Sequence, residues 1–115
     1  MAVLDTLMEN AIADVDLLRQ LDGQGDRFSV PRDVDFLLRC PTSEKAEIVA
    51  SFINEHQYGV ATVQDQGDSP SVRVVIRMPI EQHTLHAVSG FMACVSEFFG
   101  LEYDGWGCVA QSART

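Results

Sequence analysis

Ser71-Val72-Arg73-Val74-Val75-Ile76-Arg77-Met78-Pro79 is the stretch whose reading decides the fold. Val72, Val74, Ile76 and Met78 fall on one side of an extended chain, and Arg73, Val75 and Arg77 on the other. That period of two is the mark of a half-buried strand. Pro79 ends it, because proline brings no N–H to a ladder. Downstream, residues 81–99 read as a helix, with Leu85, Val88, Met92, Val95 and Phe99 on one stripe. Phe91, Cys94 and Phe98 make that stripe wider than one sheet face needs. Gly100 punctuates, and residues 101–110 read as a last strand interrupted by Asp104-Gly105-Trp106-Gly107.

Upstream, residues 64–71 hold Gly67 and Pro70 and have the length of a hairpin turn, preceded by a β-rich strand over 58–63. Before that strand, Ala46, Val49, Ala50 and Ile53, with Phe52 beside them, form the buried face of a helix. Thr42 or Ser43 caps it and Glu44 sits in its first turn. Pro41 closes an earlier strand within residues 27–39, where Val34, Phe36 and Leu38 alternate with Asp33, Asp35 and Leu37 and pairing begins after Pro31. The chain opens on a helix over residues 4–21. Leu4, Leu7, Met8, Ala11, Val15 and Leu18 give its apolar stripe, Asp14, Asp16 and Arg19 lie largely on other faces, and Gly23-Gln24-Gly25 stops it.

After the first helix the order is strand, helix, strand, strand, helix, strand, the split β-α-β arrangement. Right-handed crossovers then predict an α+β, ferredoxin-like sandwich: a four-stranded antiparallel sheet with two helices on one face. The N-terminal helix is an addition, packing at a sheet edge or face. The 115 residues suit a single domain over 1–115.

Composition narrows the function. The formal charge is −9, and residues 1–35 set eight acids against Arg19, Arg27 and Arg32, a net of −5. Such a surface repels phosphate backbones and would favour encounter with a basic protein segment, although its first reading is a charge that simply keeps the domain soluble. The expected open sheet face, with Arg73, Val75, Arg77, Asp33, Asp35, Leu37 and Arg39, has no aromatic on which RNA bases could stack. Cys40, Cys94 and Cys108 form no CxxC and read as reduced thiols. His83 and His86 could make one edge of a metal site, but a solvated helix start explains them better. No catalytic set, cofactor or metal is expected. Asp5 and Glu9 stand where a signal peptide needs basic residues, and no apolar run spans a bilayer, so the reading is cytoplasmic.

Residues 101–107 hold the single Trp, one of two Tyr and two Gly. Trp106 is read first as cover for the core edge, at least half-buried with Gly105 or Gly107 at positive φ, and second as a partner anchor. Glu102-Tyr103-Asp104-Gly105-Trp106-Gly107 also resembles the hallmark of the bacterial ribonuclease E inhibitors, the regulators of ribonuclease E activity of the B type. The likeness extends in order through the first helix into Gly23, the strand at Asp35-Phe36, the Tyr58-Gly59 opening and Phe98-Phe99-Gly100-Leu101, covering about residues 5–110. Members of that family continue into a long acidic tail, which is not seen here before Thr115.

The resemblance implies the same sandwich, no catalysis, and modulation of RNA decay by binding the basic scaffold region of ribonuclease E. Candidate partner-binding residues are Asp14, Asp16, Asp22 and Asp26 from the acidic first segment, with Tyr103, Asp104 and Trp106 from the motif. Two other classes stay open: an acidic immunity- or antitoxin-like binder of another basic protein, and a homo-oligomeric ligand-binding module suggested by the wide third-helix stripe.

Overall fold

The computed structural model describes residues 2–65, 69–109 and 111. The turn expected around Gly67 lies outside them, as does Ala110. The elements are α1 (Ala2–Gly23), β1 (Arg32–Arg39), α2 (Ser43–Glu55), β2 (Val60–Gln64), β3 (Ser71–Met78), α3 (Gln82–Phe99) and β4 (Glu102–Cys108). The sheet runs β2-β3-β1-β4, and every neighbouring pair is antiparallel. α2 covers β2 and β3, while α3 covers β4 and β1, so both lie on one face as the strand order requires. α1 packs mainly on α3 and touches β4.

Register explains the core. β1 and β3 place Val34 opposite Ile76, Phe36 opposite Val74 and Leu38 opposite Val72 on the inner face. Val49 and Ile53 from α2, and Leu85 and Met92 from α3, close over them, fully buried. Each such side chain removed from water contributes about 1.5–3 kcal/mol. On the outer face Arg73 Nη2 meets Asp35 Oδ2 at 2.6 Å, Arg77 meets Asp33 at 3.6 Å and Arg39 meets Asp104 at 3.0 Å. The solvent side of the sheet is thus a ladder of exposed ion pairs.

Local chemistry fixes the helix ends. Thr42 Oγ1 accepts from Lys45 N at 3.0 Å, capping α2. Gly100, at φ +74°, ends α3 with its own N–H donating to the Glu97 carbonyl and that of Leu101 donating to Ser96 at 2.7 Å. That paired arrangement turns the chain directly into β4. Gly59, before β2, lies so close to β3 that a Cβ there would stand 2.7 Å from Val74 Cγ1 and 2.9 Å from Ile76 Cγ1.

Two expectations need correction. The first concerns α1. Leu4 and Met8 are 57 and 60 % exposed, and Ala11 is exposed too, so half of the expected apolar stripe faces solvent, as does Ile12 beside it. The buried side is rotated from it, running through Leu18 and Leu21 and including Asp14. The second concerns β4, which is continuous instead of interrupted. Phe36 pairs with Trp106 and Leu38 with Tyr103, so Asp104 and Gly105 together oppose Leu37. This is a β-bulge, with Gly105 supplying the left-handed φ of +89° that it requires.

Candidate functional site

Along α1, Leu7, Asn10, Asp14, Leu17 and Leu21 recur at alternating steps of three and four, the spacing of a seam between packed helices. Asn10 and Asp14 make two seam positions polar, and the chemistry of the site begins there. Asp14 is 2 % exposed. Its Oδ1 accepts from Trp106 Nε1 at 2.9 Å and from Ser89 Oγ at 3.2 Å, and its Oδ2 lies 3.2 Å from His86 Nδ1. A carboxylate only accepts, so that last contact requires the imidazole proton on Nδ1.

Proton accounting settles the remaining bonds. Ser89 gives its one hydrogen to Asp14, so its oxygen accepts from Asn10 Nδ2 at 2.7 Å and from the Tyr103 hydroxyl at 2.9 Å. Burial pushes the Tyr103 hydroxyl far up and the Asp14 charge reinforces this, so it remains a protonated donor. The cluster ties α1, α3 and β4 together at one point. His86 and Ser89 both bond to Asp14, and the imidazole is not set to take the Ser89 proton as a nucleophilic pair demands. It works as a clamp.

Beside the clamp, α1, α3 and β4 leave a cleft of about 500 Å³. Ala13 and Ala93 are too small to fill it, and Asn10, Ser96 and Tyr103 line it with polar atoms. Glu9, Glu97, Glu102 and Asp104 stand along it, all exposed, and none of the described lining residues is basic. Asp104 reaches this position because the bulge at Gly105 displaces it, and Arg39 Nη2 holds it at 3.0 Å. A recess with this lining suits a guanidinium or ammonium group and repels anions.

The expected site residues divide. Asp14, Tyr103 and Trp106 come together in the clamp, and Tyr103 and Asp104 in the cleft. Trp106 is more than half-buried, as expected, and packs against the core. Asp16 and Asp22 are exposed on α1. Asp14 and Asp26, however, do not belong to one solvent-facing patch. Asp26 Oδ2 accepts from Arg32 Nη1 at 2.7 Å and from Gln111 N at 3.0 Å, and the ion-paired side chains are 0 and 3 % exposed. Burial alone would raise the Asp26 carboxyl, but the Arg32 and Gln111 hydrogen bonds and the Arg32 charge outweigh it and hold it below the usual range. The pair anchors the loop after α1 to the segment after β4, and a basic partner has no access to it.

His86 is likewise no solvated helix start but a partly buried member of the clamp, whereas His83 is exposed. Sequence reasoning missed Glu9, Asn10, Ser89, Ser96, Glu97 and Glu102. A signal existed: Ser89 and Ser96 lie seven apart inside the apolar side of α3, as Asn10 and Asp14 lie inside the seam of α1.

Among the described residues, no group of three His, Cys, Asp or Glu could hold a metal, and no helix is long and apolar enough to cross a membrane. Cys40, Cys94 and Cys108 are free thiols. No curated protein matches the chain. A family model described as regulator of ribonuclease activity B matches residues 11–108.

Proposed function

The chain belongs to the regulator of ribonuclease activity B family, and from that premise we propose that it is a non-catalytic regulator that binds a basic segment of a ribonuclease E-type endonuclease. Binding lowers that enzyme's activity on RNA, and the protein works in the cytoplasm, where its partner meets RNA. The observation that carries this reading is the acidic cleft bounded by α1, α3 and β4, whose described lining holds four carboxylates, Asp104 among them paired with Arg39, and no base.

Charge distribution supports the same surface. On the sheet, Arg39, Arg73 and Arg77 each lie against an acid, so that face offers a partner little net charge. The helices carry exposed Asp5, Glu9, Asp16, Asp22, Glu44, Glu47, Glu55 and Glu97 against Arg19 and Lys45. RNA phosphates are repelled by such a surface, so control of RNA cleavage runs through contact with the enzyme.

The test is a titration with the basic, non-catalytic region of ribonuclease E from the same cell, followed by RNA cleavage assays. Binding at low salt that weakens as salt rises, with slower cleavage and no shift of free RNA, is the expected result. Tight binding to RNA itself, or failure to bind the basic region at low salt, would overturn the reading. Recovery of a different basic protein from the host lysate would redirect it toward an immunity- or antitoxin-type role.

A further inference from the structure

The flank of α3 facing away from the cleft carries a second, apolar recess. A hollow of about 340 Å³ is lined by Phe52, Cys94, Val95, Phe98 and Phe99. Phe98 is 83 % exposed, an unusual placement for so large a hydrophobe. Behind it the rings brace one another. Phe98 stands edge-on to Phe99 with centroids 5.1 Å apart, Phe99 meets Phe52 at 5.4 Å, and Tyr58 links Phe52 at 5.7 Å to Phe91 at 4.7 Å. Phe52 and Phe99 are already packed on the core, so that wall of the hollow stands without a partner and docking needs little reorganisation there.

Its surroundings define what it takes. The C-terminal half of α3 separates the hollow from the acidic cleft: Ala93, Ser96 and Glu97 line one, Cys94, Val95 and Phe98 the other. On the opposite side Glu47 and Glu55 flank a shelf that shares Phe52 with the hollow. α3 contains no Lys or Arg, and α2 has Lys45 alone. A second copy of this chain would bring like-charged rims together across a two-fold contact. A basic chain meets complementary charge on both sides of an apolar seat.

We propose that this hollow seats one aromatic or large aliphatic side chain of the same basic segment, which crosses the C-terminal half of α3 with its basic side chains in the cleft. The proposal rests on the partner class argued above and adds its recognition pattern. A helix is about 10 Å across. The partner's apolar anchor and its cleft-bound Arg or Lys are therefore about three residues apart if the segment is extended, or about seven if it is helical.

The experiment measures association and dissociation rates of the ribonuclease's basic region against wild type, Phe98→Ala, Phe98→Glu, Glu102→Lys and Met8→Glu. Phe98 is so exposed that its variants should melt like wild type. Phe98→Ala is expected to speed dissociation at least tenfold with an unchanged salt slope, and Phe98→Glu more. Glu102→Lys should slow association instead. Replacing the segment's apolar anchor by Ala should give the same loss, and combining it with Phe98→Ala should add little further.

If both Phe98 variants bind like wild type while Glu102→Lys weakens binding, the second recess is wrong and the proposed function stands. If wild type does not bind the basic region at low salt, both fall. Weakening by Met8→Glu but not by the Phe98 variants would transfer the apolar contact to α1 and overturn the proposal. A wild-type dimer that Phe98→Glu converts to monomer would assign the hollow to a second copy and overturn it too.

Discussion

Asp14 shows how one residue acquires its role from partners distant in sequence. Trp106, Ser89 and His86 all direct donors at its carboxylate. Removing it leaves the buried Ser89 hydroxyl and the partly buried Trp106 and His86 N–H groups without that acceptor, at up to about 1–3 kcal/mol each. Asp14→Ala should therefore destabilise the domain by roughly 3–5 kcal/mol, while Trp106→Phe, which keeps the ring and loses one N–H, should cost about 1–3 kcal/mol. Urea denaturation monitored by circular dichroism checks both, and equal costs for the two would contradict the clamp.

Asp26 adds a pH dependence with a definite sign. Its folded carboxyl sits below the ordinary value of 3.8, so as the pH falls the unfolded chain takes up that proton first. The stabilisation is complete above the unfolded value and is lost as the pH drops through the folded one. Asp26→Asn should lower the melting temperature at pH 7, leaving Arg32 buried without its counter-charge, a loss of about 3–5 kcal/mol. It should also flatten the acid dependence as the pH falls below the ordinary value of 3.8. An unchanged acid profile would show that other carboxyls govern acid unfolding.

At the scale of elements, α1 and β4 depart from their sequence patterns, and each departure has a physical cause. α1 carries two apolar lines, one through Leu4, Met8 and Ile12 and one through Leu7, Leu17 and Leu21, and either satisfies helical spacing. α3 offers Ser89 and His86 on the contact side, so the helix turns the line holding Asn10 and Asp14 inward. Met8→Lys should then change stability by no more than about 0.5 kcal/mol, whereas Leu18→Ala should cost about 2–5 kcal/mol. Thermal melts that rank these two the other way round would refute this orientation of α1. In β4, the bulge at Asp104 and Gly105 keeps Trp106 opposite Phe36 while turning Asp104 toward the cleft.

For the whole molecule, the net charge of −9 acts through where it is exposed. Reversing Asp14 or Asp26 would break the fold instead of reporting on binding, since both are buried in hydrogen-bonded structure. The informative reversal joins Glu9, Asp16, Asp22 and Glu102, all exposed. Exposed ion pairs are worth about 0.2–1 kcal/mol each, so single changes should be mild. The fourfold Lys variant should slow association with the ribonuclease's basic region by tenfold or more, and the wild-type rate should fall as salt rises. Stopped-flow rates that ignore both salt and the reversal would exclude the acidic face as the docking surface.

The sequence by itself determined the layer architecture. Alternation at residues 71–78 and 34–38, the buried stripes of α2 and α3, and the order of elements leave one sandwich, because burial on one face writes its period into residue type. It also marked Tyr103, Asp104 and Trp106, through an aromatic and glycine density that an ordinary strand does not need. Only the tertiary structure decided which side of α1 turns inward, and that Asp14 and Asp26 are internal where Asp16 and Asp22 are not. A buried carboxylate is recognised by its donors. Those of Asp14 lie 72 to 92 residues away, and those of Asp26 six and 85 residues away. Periodicity reports which face a side chain is on, while hydrogen-bond satisfaction depends on what the rest of the chain brings to that face.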